Sequence, residues 1–222
     1  MVHDSLRQRT LRRIWRAETL YFIGLASFAL LGLFAHFTNY FGWDLRIAHL
    51  LQAVNAPGIL NFMRAVSFPG DGWHPHILAI ATIIVMLVFR FRSEAAALTL
   101  SVGGSTILNK LIKVLIARPR PSSSLVTVYS GLDTRSFPSG HVTFYVCYFG
   151  FLFFVAYALL PRGSVARRIA LVLLPIPVVL VGFSRVYLGA HWPSDTLGAY
   201  IFSGLWLGLS LEMYRRWKGK NI

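Results

Sequence analysis

Long apolar runs, separated by short basic or Gly- and Pro-containing stretches, dominate the sequence. A helix that crosses the hydrocarbon core of a bilayer needs roughly 20 mostly apolar residues. Six runs reach or approach that length, and we predict that each forms a transmembrane helix. They are Glu18–Thr38, Trp73–Phe91, Ala95–Ala117, Val142–Leu160, Ile169–Leu188 and Thr196–Tyr214. The predicted fold class is therefore all-α, a polytopic membrane protein in which residues 1–222 form a single membrane-embedded domain.

Two of these runs carry local features that affect their interpretation. The first follows several arginines, as the apolar part of a signal peptide does, but it is too long and no small-x-small cleavage site follows it. We therefore interpret it as a signal anchor that stays in the protein. The fifth run contains Pro175 and Pro177, which predict a kink of the kind that neighbouring helices accommodate within a membrane.

Residues 39–72 resemble neither a span nor an ordinary loop. Apolar positions recur at helical spacing from Leu45 to Leu51 and from Leu60 to Ala65, and Pro57-Gly58 separates the two groups. We predict an amphipathic helical segment, broken at Pro57-Gly58, between the first and second spans. It is either a helix pair that lies in the outer membrane interface or a lid that guides the substrate.

Composition supports a membrane protein. Hydrophobic residues make up 55 % of the chain, charged residues only 14 %, and the mean hydropathy is +0.58, whereas soluble domains carry about 25 % charged residues. This excludes a disordered chain, and a single cysteine, Cys147, excludes a disulfide scaffold. The net charge of +14 resides in short clusters between apolar runs rather than on one basic face, so no nucleic-acid partner is expected.

The distribution of Lys and Arg predicts the orientation in the membrane. Most of the 22 basic residues lie on one side if the N-terminus is cytoplasmic, because the tails 1–17 and 215–222 and two interhelical loops are basic. An even number of spans returns the C-terminus to the cytoplasm. Three segments with unusual polar residues then fall on the same, outer face.

Two of these segments end the third span and begin the fourth. Lys113 lies within an apolar run that ends in Arg118-Pro119-Arg120-Pro121, where a charge is either functional or snorkels to the interface. Pro138, Ser139, Gly140 and His141 precede the fourth span. A Ser-Gly pair at a helix N-terminus offers N–H groups and a positive dipole end to an anion, although it is also an ordinary helix cap.

The third segment joins the fifth and sixth spans and contains Ser184-Arg185, His191 and Asp195. Pro193 is typical of a first helical turn, which places Asp195 in that turn. Asp195 can then accept the Nδ1–H of His191 and leave Nε2 with a free lone pair. The alternative is an interfacial histidine beside a helix-capping aspartate.

Taken together, the three segments gather two histidines, one aspartate and three cations, Lys113, Arg120 and Arg185, on one face. Asp195 is the only carboxylate in these segments, so we expect an anionic ligand of high charge density, and phosphate fits. We predict no metal site, because the outer acidic residues are scattered rather than clustered. They are Asp44, Asp71, Asp133 and Asp195.

Lys-x6-Arg-Pro (from Lys113), Pro-Ser-Gly-His (138–141) and Ser-Arg-x5-His-x3-Asp (from Ser184) resemble the three signature motifs of the type 2 phosphatidic acid phosphatase family. The active-site pattern of this family is shared with vanadium haloperoxidases. The resemblance implies that His191 is the nucleophile, that Asp195 orients it, and that His141 protonates the leaving group. It also implies a phosphate-binding set, namely Lys113, Arg120, Ser139, Gly140 and Arg185.

The resemblance implies a metal-independent, cofactor-free phosphatase that acts on a lipid phosphate or diphosphate through a phosphohistidine. Candidate substrates are undecaprenyl diphosphate, phosphatidylglycerol phosphate, phosphatidic acid and lipid A phosphate, with the 119–138 loop shaping the head-group pocket. We expect a bacterial inner-membrane protein with its site on the periplasmic or extracellular side and no obligate protein partner. A lipid phosphotransferase that uses the same intermediate is an alternative, as is a lipid-phosphate binder or transporter.

Overall fold

The computed structural model describes the backbone of residues 2–129 and 135–219 and the side chains from Glu18 onward. Regular structure in this part of the chain is helical, which confirms the all-α prediction. The helices are α1 (Val2–Phe37), α2 (Gly42–Gln52), α3 (Ile59–Ser67), α4 (His74–Val88), α5 (Arg92–Thr99), α6 (Ser105–Ile116), α7 (Gly140–Leu159), α8 (Val165–Leu173), α9 (Pro175–Tyr187) and α10 (Pro193–Gly219).

Several helices are long and apolar enough to cross a membrane, so the chain is an integral membrane protein. Four described segments meet this requirement: Glu18–Phe37, Arg92–Ile116, Gly140–Leu159 and Val165–Tyr187. A fifth is a bent pair, Ile59–Gly70 with His74–Val88, whose halves meet at 52°. The second predicted span is therefore one half of a broken element that also includes α3.

The predicted sixth span, Thr196–Tyr214, lies within α10 but does not reach the hydropathy of the others, so six spans are not confirmed. The reason is the position of α10 between α1, α7 and α9. Small and polar residues let these neighbours approach closely, at the cost of hydropathy. Gly198 shows the effect, because a Cβ atom there would lie 3.5 Å from Leu31 on α1 and 2.5 Å from the ring of Phe137, which precedes α7.

Two predicted spans are interrupted. A π-helical turn, Leu100–Gly104, separates α5 from α6 within the third, and turns of this kind are common at functional sites. In the fifth, α8 ends at Leu173 and α9 begins at Pro175. This is the interruption that the prolines predict, because proline cannot donate a backbone hydrogen bond.

The amphipathic segment between the first two spans contains α2 and α3, with the break at residues 53–58 as predicted. These helices pack on α9, and α2 also contacts α10. Gln52 at the end of α2 donates to the carbonyls of Thr127 and Tyr187, at 2.7 and 2.9 Å. The segment is thus fastened to the helices that carry the third motif.

Candidate active site

The three motifs converge around the start of α7 and the loop between α9 and α10. Ser139 N–H donates to the carbonyl of Asp195 at 3.2 Å, which joins the second motif to the third. Arg120 Nη1 lies 3.2 Å from His191 Nε2, which joins the first motif to the third. Charges on Arg120, Lys113, Arg185 and His141 all act on the pKa of His191, which places these four groups around it.

His191 is 2 % exposed and has a defined protonation state. Burial first, and then the positive charges of Arg120 and Lys113, hold its pKa well below the ordinary value of 6.5, so the imidazole is neutral near pH 7. An arginine can only donate. The contact from Arg120 therefore assigns the ring proton to Nδ1 and the lone pair to Nε2.

Asp195 and Ser136 face the Nδ1 side of His191. Asp195 Oδ2 lies 3.6 Å from Nδ1, which is longer than the hydrogen bond expected from the sequence. The hydroxyl of Ser136 lies beside both groups, donating to Asp195 Oδ2 and sitting 3.4 Å from Nδ1. Asp195 Oδ2 also accepts from Trp192 N–H at 2.8 Å. The carboxylate thus orients His191 partly through Ser136, a residue that none of the three motifs includes.

Arg118 is the main residue that the motif analysis missed. Its side chain is fully buried, with Nη1 at 2.7 Å from Asp195 Oδ1 and Nη2 at 3.0 Å from Asp44 Oδ2. Asp44 on α2 also accepts from the backbone and hydroxyl of Ser194, each at 2.8 Å. Arg120 alone has the motif spacing from Lys113, but the repeated Arg-Pro was a visible signal that two arginines act here.

Lys113 is held by two backbone carbonyls. Its ammonium group donates to the carbonyls of Arg135 and Ser136, at 2.8 and 3.2 Å. These carbonyls belong to the stretch before the second motif, so Lys113 joins the end of α6 to that stretch. Part of the predicted head-group loop, residues 130–134 with Asp133, lies outside the described residues.

The Ser139 and Arg185 side chains supply unused hydrogen-bonding atoms. Ser139 Oγ, Arg185 Nε and Arg185 Nη2 are buried and have no partner within the described part of the chain. Buried polar atoms are almost always paired, so these atoms indicate where an oxygen-rich anion fits. Beside Gly140 a Cβ atom would meet only Asn109 Oδ1 at 3.7 Å, so the space there does not itself demand glycine.

Asp71 changes the charge balance expected at the site. It follows Gly70 in the break between α3 and α4, with Oδ1 at 2.7 Å from His141 Nε2 and 3.6 Å from Arg185 Nη1. Asp195 is therefore the only carboxylate within the three motif segments, but Asp71, outside them, also lies near Arg185. The motif spacing could not reveal this contact, because Asp71 lies 70 residues before His141 in the chain.

Comparison with known proteins identifies the family. The profile of the PAP2 superfamily matches residues 94–218, more than half of the chain. Phosphatidylglycerophosphatase B of Bacillus subtilis is 28 % identical over 159 residues, covering 71 % of this chain and 76 % of the relative. Lipid A 1-phosphatase of Rhizobium etli is 35 % identical over 142 residues and 56 % of each chain.

A solved structure has the same fold. The transmembrane PAP2-type phosphatidylglycerolphosphate phosphatase of Bacillus subtilis superimposes with a TM-score of 0.72 at 24 % identity, over 86 % of this chain and 96 % of that one. The matched residues 94–218 include all three motifs. The chain therefore belongs to the PAP2 superfamily and is a membrane lipid phosphate phosphatase of that type.

Proposed function

We propose that this protein hydrolyses a lipid phosphate or diphosphate without a metal ion, through a phosphohistidine on His191. The observation that carries the proposal is the environment of His191 Nε2. A neutral imidazole presents a lone pair to Arg120, and the side chains of Ser139 and Arg185 in the other two motif segments have buried atoms without a partner among the described residues. A neutral nitrogen nucleophile aimed by a carboxylate suits attack on phosphorus.

In the first step, His191 Nε2 forms a bond to phosphorus as the bond from phosphorus to the leaving oxygen breaks. His141 gives its proton to that oxygen, acting as a general acid. In the second step, His141 takes a proton from water, the water oxygen attacks phosphorus, and the P–N bond breaks to release phosphate. His191 keeps its Nδ1 proton through both steps and returns to its starting tautomer.

The nonbridging phosphoryl oxygens have a set of donors in place. On binding, an oxygen takes the Nη1 donor that Arg120 directs at His191 in the free protein. Arg185 and Ser139 contribute their unpaired atoms, and Lys113 and the Gly140 N–H complete the set. Positively charged and N–H donors fixed in a water-poor site stabilise the developing charge of the transition state.

The proposal assigns no role to a metal ion or other cofactor. The fixed cations already provide the charge that a metal would provide in other phosphatases. Within residues 18–129 and 135–219 no three His, Cys, Asp or Glu side chains group as metal ligands. The EDTA arm of the experiment below tests this part of the proposal.

A lipid substrate is supported by a groove that begins at the site. His141 and Lys113 lie at its polar end, and apolar side chains such as Ile80 and Ile83 of α4 line the rest of a cavity of about 670 Å³. The names of related proteins refer to phosphorylated lipids with different head groups. They include a phosphatidylglycerophosphatase, lipid A 1-phosphatases and an undecaprenyl-diphosphatase. We propose a substrate of this class, with phosphatidic acid as a further candidate.

We also propose a topology with six spans, in which α10 is the sixth and both termini are cytoplasmic. The 27-residue length of α10 suffices to cross a bilayer. The motif residues then lie near the periplasmic or extracellular surface of a bacterial plasma membrane. Neither a nucleic acid nor an obligate protein partner enters this proposal.

The test is phosphate release by the detergent-purified protein from a panel of these lipids in excess EDTA. We expect release in EDTA, complete loss in His191→Ala, and retention in His36→Ala, which removes a histidine at the end of α1. Radiolabelled phosphate should remain on the wild-type protein after an acid-free quench. Full activity in His191→Ala overturns the nucleophile, and loss in EDTA overturns metal independence. Transfer of the phosphoryl group to an added alcohol, with no release of free phosphate, supports a phosphotransferase instead.

A further inference from the structure

The break between α3 and α4 lies directly against His141. Asp71 Oδ1 is 2.7 Å from His141 Nε2. The backbone carbonyl of the same residue lies 2.8 Å from His74 Nδ1, and its N–H donates to the carbonyl of Phe68 at 3.1 Å. Asp71 is therefore held by its own turn while its side chain engages the imidazole.

The backbone of the break also packs against the His141 ring. A Cβ atom at Gly70 would lie 2.5 Å from Cδ2 of His141 and 3.0 Å from the Tyr145 ring. Only glycine allows this approach. Tyr145 Oη in turn donates to the carbonyl of Val66 at 2.6 Å. The ring of His141 is thus confined by the backbone on one side and by a carboxylate at Nε2.

Residues of α9 contact α3 and the break that follows it. Ser184 Oγ donates to the carbonyl of Met63 at 2.6 Å and lies 2.6 Å from Ser67 Oγ. Arg185 Nη1 lies 3.6 Å from Asp71 Oδ1. The broken element is therefore attached both to α7, which carries His141, and to α9, which carries Arg185.

From this arrangement we infer that Asp71 is a positioning residue for the leaving-group acid. It holds Nε2–H of His141, so that Nδ1–H is the proton delivered to the leaving oxygen. This inference rests on the proposed function, in which His141 is the acid. In the transfer, the Nδ1–H bond of the His141 imidazolium breaks and a new O–H bond forms, while the second proton stays on Nε2, hydrogen-bonded to Asp71. Burial and the charges of Arg185 and Arg120 oppose the protonated imidazolium from which this proton leaves, whereas the hydrogen bond and charge of Asp71 favour it.

Asp71 is ionised when it does this. Burial alone raises the pKa of its carboxyl group, but the hydrogen bond and charge of His141, with Arg185 and His74, bring the pKa below its ordinary value of 3.8. The side chain is 49 % exposed, so a substitution there leaves no buried hole.

The experiment compares two leaving groups in Asp71→Asn. Dodecyl phosphate leaves as an alkoxide that needs the proton, whereas a dodecyl-substituted nitrophenyl phosphate leaves as a stable phenolate. We expect kcat to fall about 10- to 100-fold on the alkyl phosphate and no more than about threefold on the aryl phosphate. Equal losses on both substrates overturn the inference, because they indicate a merely structural role. Faster turnover than wild type also overturns it, because Asp71 then obstructs the site.

Two further variants complete the test. Gly70→Ala pushes on the His141 ring while it leaves Asp71 intact, and we expect the same selective loss on dodecyl phosphate. Glu212→Gln, which neutralises a similarly exposed carboxylate on α10, should change neither rate. Failure of the proposed function has a different signature, since His191→Ala then retains activity on both substrates. If His191→Ala is inactive and Asp71→Asn loses activity equally on both substrates, the inference about Asp71 is rejected and the proposed function stands.

Discussion

Arg118 Nη1 lies 2.7 Å from Asp195 Oδ1, and both side chains are fully buried. The two carboxylate oxygens of Asp195 have different partners. Oδ1 pairs with Arg118, while Oδ2 accepts from Ser136 and from Trp192 N–H and faces His191. Since Arg118 also reaches Asp44, the orientation of the proposed nucleophile depends on a helix, α2, that contains none of the motifs.

Asp44→Asn should lower the stability of the protein. The substitution leaves the buried charge of Arg118 with one carboxylate instead of two, and removing one partner from a buried ion pair costs about 3 kcal/mol or more. We expect a clear drop in the thermal unfolding midpoint in detergent, with reduced phosphatase activity. An unfolding midpoint equal to wild type contradicts the prediction.

Arg215→Gln is the matched control for this measurement. It breaks an ion pair with Glu212 near the end of α10, where the two side chains are 68 % and 41 % exposed. Exposed pairs contribute little because water screens them. The unfolding midpoint of this variant should stay close to wild type.

Ser136→Ala should slow the formation of the phosphohistidine. The Ser136 hydroxyl lies between Asp195 and His191 Nδ1, and without it the imidazole is joined to the carboxylate only across 3.6 Å. We expect kcat to fall about tenfold, the scale of a lost charge-assisted hydrogen bond, with KM little changed. Rapid-quench measurement of the labelled enzyme gives this rate. Ser122→Ala, in the exposed part of the same loop, is the control, and equal effects in both variants contradict the prediction.

The low pKa of His191 predicts how the first chemical step depends on pH. Burial and the charges of Arg120 and Lys113 keep the imidazole neutral well below its ordinary pKa of 6.5. Its nucleophilic form therefore persists when the pH falls from 7.5 to 5.5. After correction for the substrate phosphate, whose second pKa is about 6, the rate of phosphoenzyme formation should not decline. A decline with a midpoint near 6.5 contradicts the prediction.

The same low pKa of His191 should make the folded protein less stable as the pH falls. In the unfolded chain His191 binds a proton as the pH falls below about 6.5, whereas in the folded protein it stays neutral. The unfolded state then takes up more protons, so this histidine makes the protein less stable as the pH falls. Denaturant midpoints at pH 7.5 and 5.5, compared between wild type and His191→Asn, measure the contribution.

Sequence patterns predicted the helices and the site to different extents. Apolar runs located the helical elements, because lipid requires long apolar segments, and fixed spacing located His141, His191 and Asp195. The hydropathy pattern could not separate a broken span from an interfacial helix, so α3 was not joined to α4. It also assigned α10 the apolar character of the other spans, although its place between neighbouring helices favours small residues.

Contacts between segments far apart in the sequence account for the site residues that the sequence patterns did not predict. Asp44 and Asp71 lie in the stretch before α4, and each meets its motif partner only after the chain has folded, Arg118 for Asp44 and His141 for Asp71. No local spacing encodes such a pair. The broken segment between the first two spans had two possible roles, an interfacial helix pair or a substrate lid, and both of its helices pack on α9.

Gly103→Leu tests whether the groove beside His141 receives the hydrocarbon chain of the substrate. Gly103 lies in the π-helical turn and lines the groove, and a Cβ atom there meets nothing within 4 Å. A leucine side chain should therefore enter the cavity without displacing the fold. We expect kcat/KM to fall about tenfold or more for a long-chain lipid phosphate, while a short-chain phosphate is little affected.

The control is Gly208→Leu on α10. A Cβ atom there also meets nothing within 4 Å, and Gly208 does not line the groove. It adds the same side chain to a helix and should leave the chain-length preference unchanged. If Gly103→Leu hydrolyses long- and short-chain substrates in the wild-type ratio, the hydrocarbon chain lies elsewhere. A selective loss of long-chain turnover places it between α4 and α6, with the phosphate at the end where His141 and Lys113 lie.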